Sequence, residues 1–68
     1  MDEEALNLEV RKFLKKVGIN SQRQIEKAVH AAVDTGSMSI GESLSVNVIL
    51  EIPQLEIRHA IDGEIVLS

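Results

Sequence analysis

The segment 18–24, with the sequence GINSQRQ, most constrains the fold because it can end one helix and start another. Glycine accepts the left-handed conformation that follows many helix C-termini, so Gly18 is expected to end a first helix. Ser21 precedes Gln24 by three residues, which is the spacing of a capping box. In that motif the Ser21 hydroxyl would accept a hydrogen bond from the backbone amide of Gln24. The side-chain carbonyl of Gln24 would accept a second hydrogen bond from the backbone amide of Ser21. The segment therefore predicts a helix–turn–helix junction.

Apolar residues on both sides of this junction follow helical spacing. The first set recurs every three or four positions and consists of Leu6, Val10, Phe13, Leu14 and Val17. The second set precedes Gly36, a candidate C-terminal glycine, and consists of Ile25, Ala28, Val29, Ala32 and Val33. We therefore expect helices over about residues 3–17 and 22–35, with small alanine side chains that let the two helices pack closely as a hairpin.

The C-terminal half alternates between apolar and polar residues, which is typical of strands with one covered face. The alternation predicts strands over about residues 43–52 and 55–67. Pro53 and Gln54 are expected to lie within a two- or four-residue connection, with Leu55 opposite Ile52 and Ile57 opposite Leu50. Gly63 is then expected to form a kink or bulge opposite Leu44. A short third strand over residues 64–67 is the alternative.

These elements predict an α+β fold of order α-α-β-β, in which a two-helix hairpin packs on one face of an antiparallel β-ribbon. Residues 1–68 would form a single domain, at a size where one core leaves only about 3–5 kcal/mol of net stability. The chain has no cysteine, which excludes disulfides and thiolate metal sites. Its first residues are acidic and no apolar run approaches the length of a membrane span, so we expect a cytoplasmic protein.

The run 12–29, KFLKKVGINSQRQIEKAV, resembles a family of small uncharacterised bacterial proteins known only as a domain of unknown function. The similarity extends from about Leu6 to residues 63–65 and so covers nearly the whole chain. The pattern FLKKVG, SQR, IEKAV is fairly specific to this family. The resemblance implies a bacterial origin and a free-standing domain, and it implies no activity and no catalytic or binding residue.

Residues that could support catalysis or metal binding are few. The serines lack a Gly-x-Ser-x-Gly elbow and the chain has two histidines, so we expect no enzymatic activity and no catalytic residue. His59 shares the apolar parity of the second strand and is expected to be a core or rim residue, whereas His30 is expected on an exposed helix flank. Two isolated histidines do not form a zinc site, and the glycines do not form a phosphate-binding loop. We therefore predict no metal and no cofactor.

The charges are distributed unevenly around a net charge of −4. Residues 11–27 contain six bases against Glu26, whereas residues 37–68 contain five acids and only Arg58. Such bases commonly form a solvated helix face, and a single leucine among them, Leu8, is commonly an ordinary exposed residue. The bases could instead bind an acidic protein partner, or the acidic end of a second copy, together with this leucine. This possible partner-binding set is Leu8, Arg11, Lys12, Lys15, Lys16, Arg23 and Lys27. The most direct interpretation is a small structural or protein-interaction module with an unknown protein partner.

Nucleic-acid binding by the basic stretch 11–27 is the alternative function, because a helix–turn–helix with exposed bases could meet phosphates. Three features argue against it. Gln24 occupies the position where a recognition motif has a buried aliphatic residue, no third helix braces the pair, and the acidic ribbon repels phosphates.

A monomer is favoured over a homodimer on charge grounds. Glu51, Glu56, Asp62 and Glu64 would line the outer face of the ribbon and repel a second copy. Pro53 and a kink at Gly63 would blunt one edge of the ribbon. The missing disulfide and the uncovered two-stranded sheet favour a dimer instead.

Overall fold

The computed structural model describes all 68 residues of the chain. Its elements, in chain order, are the helix α1 (Glu3–Asp34), the strand β1 (Ser43–Ile52), a short 3-10 turn (Pro53–Leu55) and the strand β2 (Ile57–Val66). The chain divides into two compact units, Met1–Ser37 with the helix and Met38–Ser68 with both strands. The order is therefore α-β-β within the α+β class.

A single helix of 32 residues occupies the place of the two predicted helices. Gly18 lies inside α1 and is absent from the residues with positive φ, which are Gly36, Gly41 and Glu56. A glycine in a helix interior costs about 1 kcal/mol relative to alanine, which a long helix without proline tolerates. The predicted two-helix hairpin, the helix–turn–helix junction and the order α-α-β-β are therefore wrong.

The residues of the supposed junction have helical roles instead. Ser21 lies in the middle of α1 and makes no side-chain hydrogen bond to Gln24, so the predicted capping box is absent. Asn20 Nδ2 donates to the Lys16 carbonyl oxygen, four residues earlier, at 2.7 Å. Residues four apart lie next to each other on a helix, so this hydrogen bond is compatible with a continuous helix through residues 16–20.

Asp2 caps the N-terminus of α1. Its Oδ1 atom accepts from the backbone amides of Glu4 and Ala5 at 3.0 and 3.1 Å. These bonds satisfy two of the amides that a helix leaves unpaired at its start. Glu3 and Glu4 add negative charge to the first turn, where it interacts favourably with the positive end of the helix dipole.

Gly36 ends α1, as the sequence predicts. Its φ of +77° is the left-handed conformation, and its amide donates to the Val33 carbonyl at 3.1 Å. The Ser37 amide reaches back to the Ala32 carbonyl at 2.8 Å. This pair of bonds is a Schellman motif, which satisfies two carbonyls at the helix end.

The strands β1 and β2 pair as a two-stranded antiparallel sheet. Ile52 lies opposite Ile57, so the connection is residues 53–56 and the pairs are shifted by two residues from those expected with Leu55 opposite Ile52. A shift of two preserves parity, so the apolar sets of both strands share one face as expected. Pairing continues through Gly63, opposite Val46, so the expected bulge there is absent and no third strand forms.

The chain has very little core. Leu67 is 8% exposed and is the single buried residue. Its amide donates to the Glu42 carbonyl at 2.8 Å and its carbonyl accepts from the Gly41 amide, which extends the ribbon beyond β2. The large apolar residues of the helix and of the ribbon remain partly or largely exposed.

The connection between the strands places a glutamate in a glycine-like conformation. Glu56 has φ of 54° and ψ of 36°, and its amide donates to the Pro53 carbonyl at 3.2 Å. A left-handed conformation costs about 1 kcal/mol or more for a residue with a Cβ atom.

We expect Glu56→Gly to raise the free energy of unfolding by about 0.5–1 kcal/mol, because it relieves this conformation. Urea unfolding followed by circular dichroism measures the change. Glu56→Ala is the matched control, since it removes the same charge and keeps the Cβ atom. An equal gain from both variants would mean that the charge is responsible and not the backbone.

Candidate interaction surface on helix α1

The continuous helix gathers the predicted partner-binding residues on one side. At about 100° per residue, they fall within an arc about 160° wide. We call this set the basic surface, and its members are Leu8, Arg11, Lys12, Lys15, Lys16, Arg23 and Lys27. It extends about 29 Å along the helix axis, from Leu8 to Lys27. A break at Gly18 would have put Arg23 and Lys27 on a separate element.

Most of the positive charge in the basic surface is unpaired within the chain. Lys12 Nζ lies 3.6 Å from Glu9 Oε1, and this is the single ion pair of the structure. Both side chains are well exposed, at 64% and 72%, so water screens the pair and its contribution is about 0–1 kcal/mol. Between Leu8 and Lys27 the only acids are Glu9 and Glu26. The surface therefore keeps a net positive charge.

Two exposed apolar residues lie among the bases. Leu8 is 58% exposed and Ile19 is 44% exposed. They are eleven residues apart, which is about three helical turns, so both lie on the same side of α1. Sequence reasoning missed Ile19 because it placed this residue in a turn. The eleven-residue spacing from Leu8 was the signal that could have identified it on a continuous helix.

The histidines do not come together with other ligating side chains. His59 lies opposite Leu50 on the apolar face of the ribbon, where it is exposed and makes no hydrogen bond. His30 is exposed on α1. Nowhere do three histidine, aspartate or glutamate side chains lie together in a way that could hold a metal ion. Helix α1 is not apolar enough over a sufficient length to cross a membrane.

The elements and their order define a small α+β protein that has one long helix and one β-hairpin. The chain belongs to DUF6494, a family of unknown function, whose model matches residues 1–68. The predicted resemblance to a domain of unknown function is thereby confirmed. No curated protein and no solved structure matches the chain. The family assigns no role to any residue of the basic surface.

Proposed function

We propose that this chain is a small cytoplasmic structural or protein-interaction module without catalytic activity, and that its basic surface binds an acidic protein partner. One observation supports the proposal above the others. A continuous helix aligns six bases on one side, and five of them have no ion-pair partner in the chain. Leu8 and Ile19 add apolar contact area among these charges.

The proposed recognition combines local charge with apolar contact. The chain as a whole carries a net charge of −4, so attraction to an acidic partner depends on the local field of the basic surface. At physiological ionic strength that field acts over about 8 Å. Charges at an interface mainly raise the association rate and exclude wrong partners, while desolvated apolar residues contribute to affinity.

Nucleic-acid binding, the alternative function, loses one of its supports in this structure. It depended on a short turn that presents a second helix, and α1 has no turn between Glu3 and Asp34. Positive charge alone remains in its favour.

We expect the full chain to capture acidic proteins from a lysate of its own cells, and the triple variant Lys12→Gln, Lys15→Gln, Lys16→Gln to lose them. Removal of three adjacent charges should weaken binding by at least tenfold at physiological salt, because each interfacial charge contributes to attraction. Quantitative mass spectrometry of the captured proteins measures the loss. Direct titration of one captured protein against both chains then gives the affinity ratio.

Arg58→Gln is the matched control because Arg58, on β2, is the one base outside α1. This variant should retain the captured proteins, whereas Lys15→Gln, which also removes one charge, should reduce them. Equal capture by the parent and the triple variant would contradict the proposal. Salt-sensitive binding of duplex DNA that the triple variant abolishes would favour the alternative function instead.

A further inference from the structure

The outer edge of β1 carries backbone groups that do not bond to β2. In an antiparallel pair of strands, opposite residues alternate between pairs that exchange hydrogen bonds and pairs that do not. The Leu67 amide donates to the Glu42 carbonyl at 2.8 Å, one position before the pair of Ser43 and Val66. The bonded positions of β1 are therefore the even ones, and the odd ones direct their amides and carbonyls away from β2.

We call the backbone of these odd positions the β1 edge. Its residues are Ser43, Ser45, Asn47, Ile49 and Glu51. All five are exposed, and none makes a backbone hydrogen bond outside the ribbon. A row of unpaired amides and carbonyls is a template for a further strand. A sheet of two strands is marginally stable in water, whereas three or more strands can be stable, so the β1 edge has a physical reason to pair.

The β1 edge lacks the features by which natural sheet edges avoid pairing, which are proline, bulges and charged side chains. From Ser43 to Ile52 the chain has no proline, glycine, lysine or arginine, and Glu51 is the single charged residue. The edge of β2 differs, because three of its five outward residues are charged. Those five are Arg58, Ala60, Asp62, Glu64 and Val66. An added strand therefore fits β1 better than β2.

A second copy of β1, in antiparallel orientation, is complementary to this edge. With Asn47 opposite Asn47 of the second copy, every outward residue lies opposite another outward residue, and the five pairs can exchange about ten hydrogen bonds. Glu51 then lies opposite Ser43 of the second copy, so the one charge of the edge meets no like charge. Residues of equal parity face each other, so the apolar faces of the two ribbons become continuous.

This pairing also keeps the acids of β2 apart. The joined sheet has the order β2-β1-β1-β2, so the two β2 strands lie three strand spacings, or about 14 Å, apart. That distance exceeds the Debye length of about 8 Å at physiological ionic strength. Pairing through β2 would instead bring Asp62 and Glu64 of both copies onto neighbouring strands about 5 Å apart. The repulsion that favours a monomer therefore does not oppose pairing through β1.

We propose that the β1 edge pairs with the β1 edge of a second copy, antiparallel about a two-fold axis at Asn47, to form a four-stranded sheet. Each contact occurs twice, as two-fold symmetry requires. The proposal uses the ribbon alone and does not rest on the proposed function. Loss of partner binding in the lysine variants and loss of self-association in ribbon variants are therefore separate results.

Sedimentation of the full chain over a concentration series tests the association. We expect a mass of about 15 kDa, twice the 7.5 kDa of one chain. Asn47→Pro should raise the dissociation constant by about tenfold or more, because it removes the outward amide at the axis from both copies and leaves a carbonyl of each copy without a donor. The Asn47 amide does not bond to β2, so the ribbon keeps its own hydrogen bonds.

Asp62→Pro is the matched control. Asp62 lies opposite Asn47, and its amide also points outward, from the edge of β2. Proline there restricts the ribbon backbone in the same way and leaves the β1 edge intact. This variant should not raise the dissociation constant.

Single cysteines test the register, since the natural chain has none. Under mild oxidation Asn47→Cys should form a disulfide-linked dimer, because opposite residues of a bonded pair have Cα atoms about 5.5 Å apart, within the range of a disulfide. A mixture of Ser45→Cys and Ile49→Cys chains should form the mixed disulfide in preference to either self-linked product. Ala60→Cys, on β2, is the control and should remain unlinked.

Other interfaces give different results. A mass of 7.5 kDa at all concentrations without an Asn47→Cys disulfide would overturn the proposal and leave the β1 edge to a strand of another protein. Equal weakening by Asn47→Pro and Asp62→Pro would also contradict it, because the stability of the ribbon and not the β1 edge would then control association. A dimer in which Ala60→Cys links and Asn47→Cys does not would place the interface at β2. Self-linked Ser45→Cys chains would contradict the register.

Discussion

Gln22→Pro should lower the free energy of unfolding by about 3 kcal/mol or more. Gln22 lies in the interior of α1, where proline removes one backbone hydrogen bond and its ring clashes with the carbonyl of Gly18. A single core at this size leaves only about 3–5 kcal/mol of net stability, so the substitution would remove most of it. Far-UV circular dichroism and urea unfolding of the parent and the variant measure the loss.

The same substitution separates a continuous helix from a helix–turn–helix. If Ser21 capped a second helix, Gln22 would be its first residue, where proline is favoured and costs little. Glu3→Pro is the matched control because Glu3 follows the capping Asp2 at the start of α1, and it should change stability little. A Gln22→Pro variant as stable as the parent would restore the junction that the sequence predicts.

Sequence reasoning worked for the ribbon because strand alternation specifies which face a residue occupies. The even-numbered apolar residues of β1 and the odd-numbered ones of β2 share a face whether the connection has two or four residues. Alternation cannot choose between those lengths, so the exact pairs were open to error. Glu56 ends the four-residue connection in a left-handed conformation. That conformation usually indicates glycine, so a glutamate at this position did not predict it.

Sequence reasoning failed for the helix because it weighed local signals above the long-range period. Gly18 and the Ser21–Gln24 spacing are common at helix ends, and both are also compatible with a helix interior. The period itself continues across residues 18–24, since Val17 and Ala28 are eleven residues, or about three turns, apart. No proline interrupts it. Reading the phase over the whole segment would have favoured one helix.

The sequence predicted which residues belong to the candidate interaction surface. It did not predict that these residues lie along one side of a single helix. Charge alone identified the bases of residues 11–27. Their alignment depends on the helix being continuous, because Lys16 and Arg23 are seven residues, or nearly two turns, apart. Ile19 and the exposure of Phe13 and Leu14 could not be predicted from a hairpin that was expected to bury one helix against the other. The partner has no sequence signal, because no motif in the chain specifies a ligand.

Gly36→Ala should lower the free energy of unfolding by about 1–2 kcal/mol, whereas Gly18→Ala should raise it by about 1 kcal/mol. A Cβ atom added at either glycine meets nothing within 4 Å, so backbone conformation alone distinguishes the two sites. Gly36 has φ of +77°, which strains alanine. Gly18 is helical, and alanine there reduces the backbone entropy lost on folding.

The opposite signs make each variant the control of the other. Urea unfolding of the parent and both variants under one condition measures the two changes. A shift in the midpoint urea concentration reports a change in stability where the slope of the free energy against urea is the same in all three chains. Destabilisation by Gly18→Ala would mean that Gly18 adopts a positive φ and ends a helix. In that case Arg23 and Lys27 would belong to a second element, and the basic surface would not be continuous along one helix.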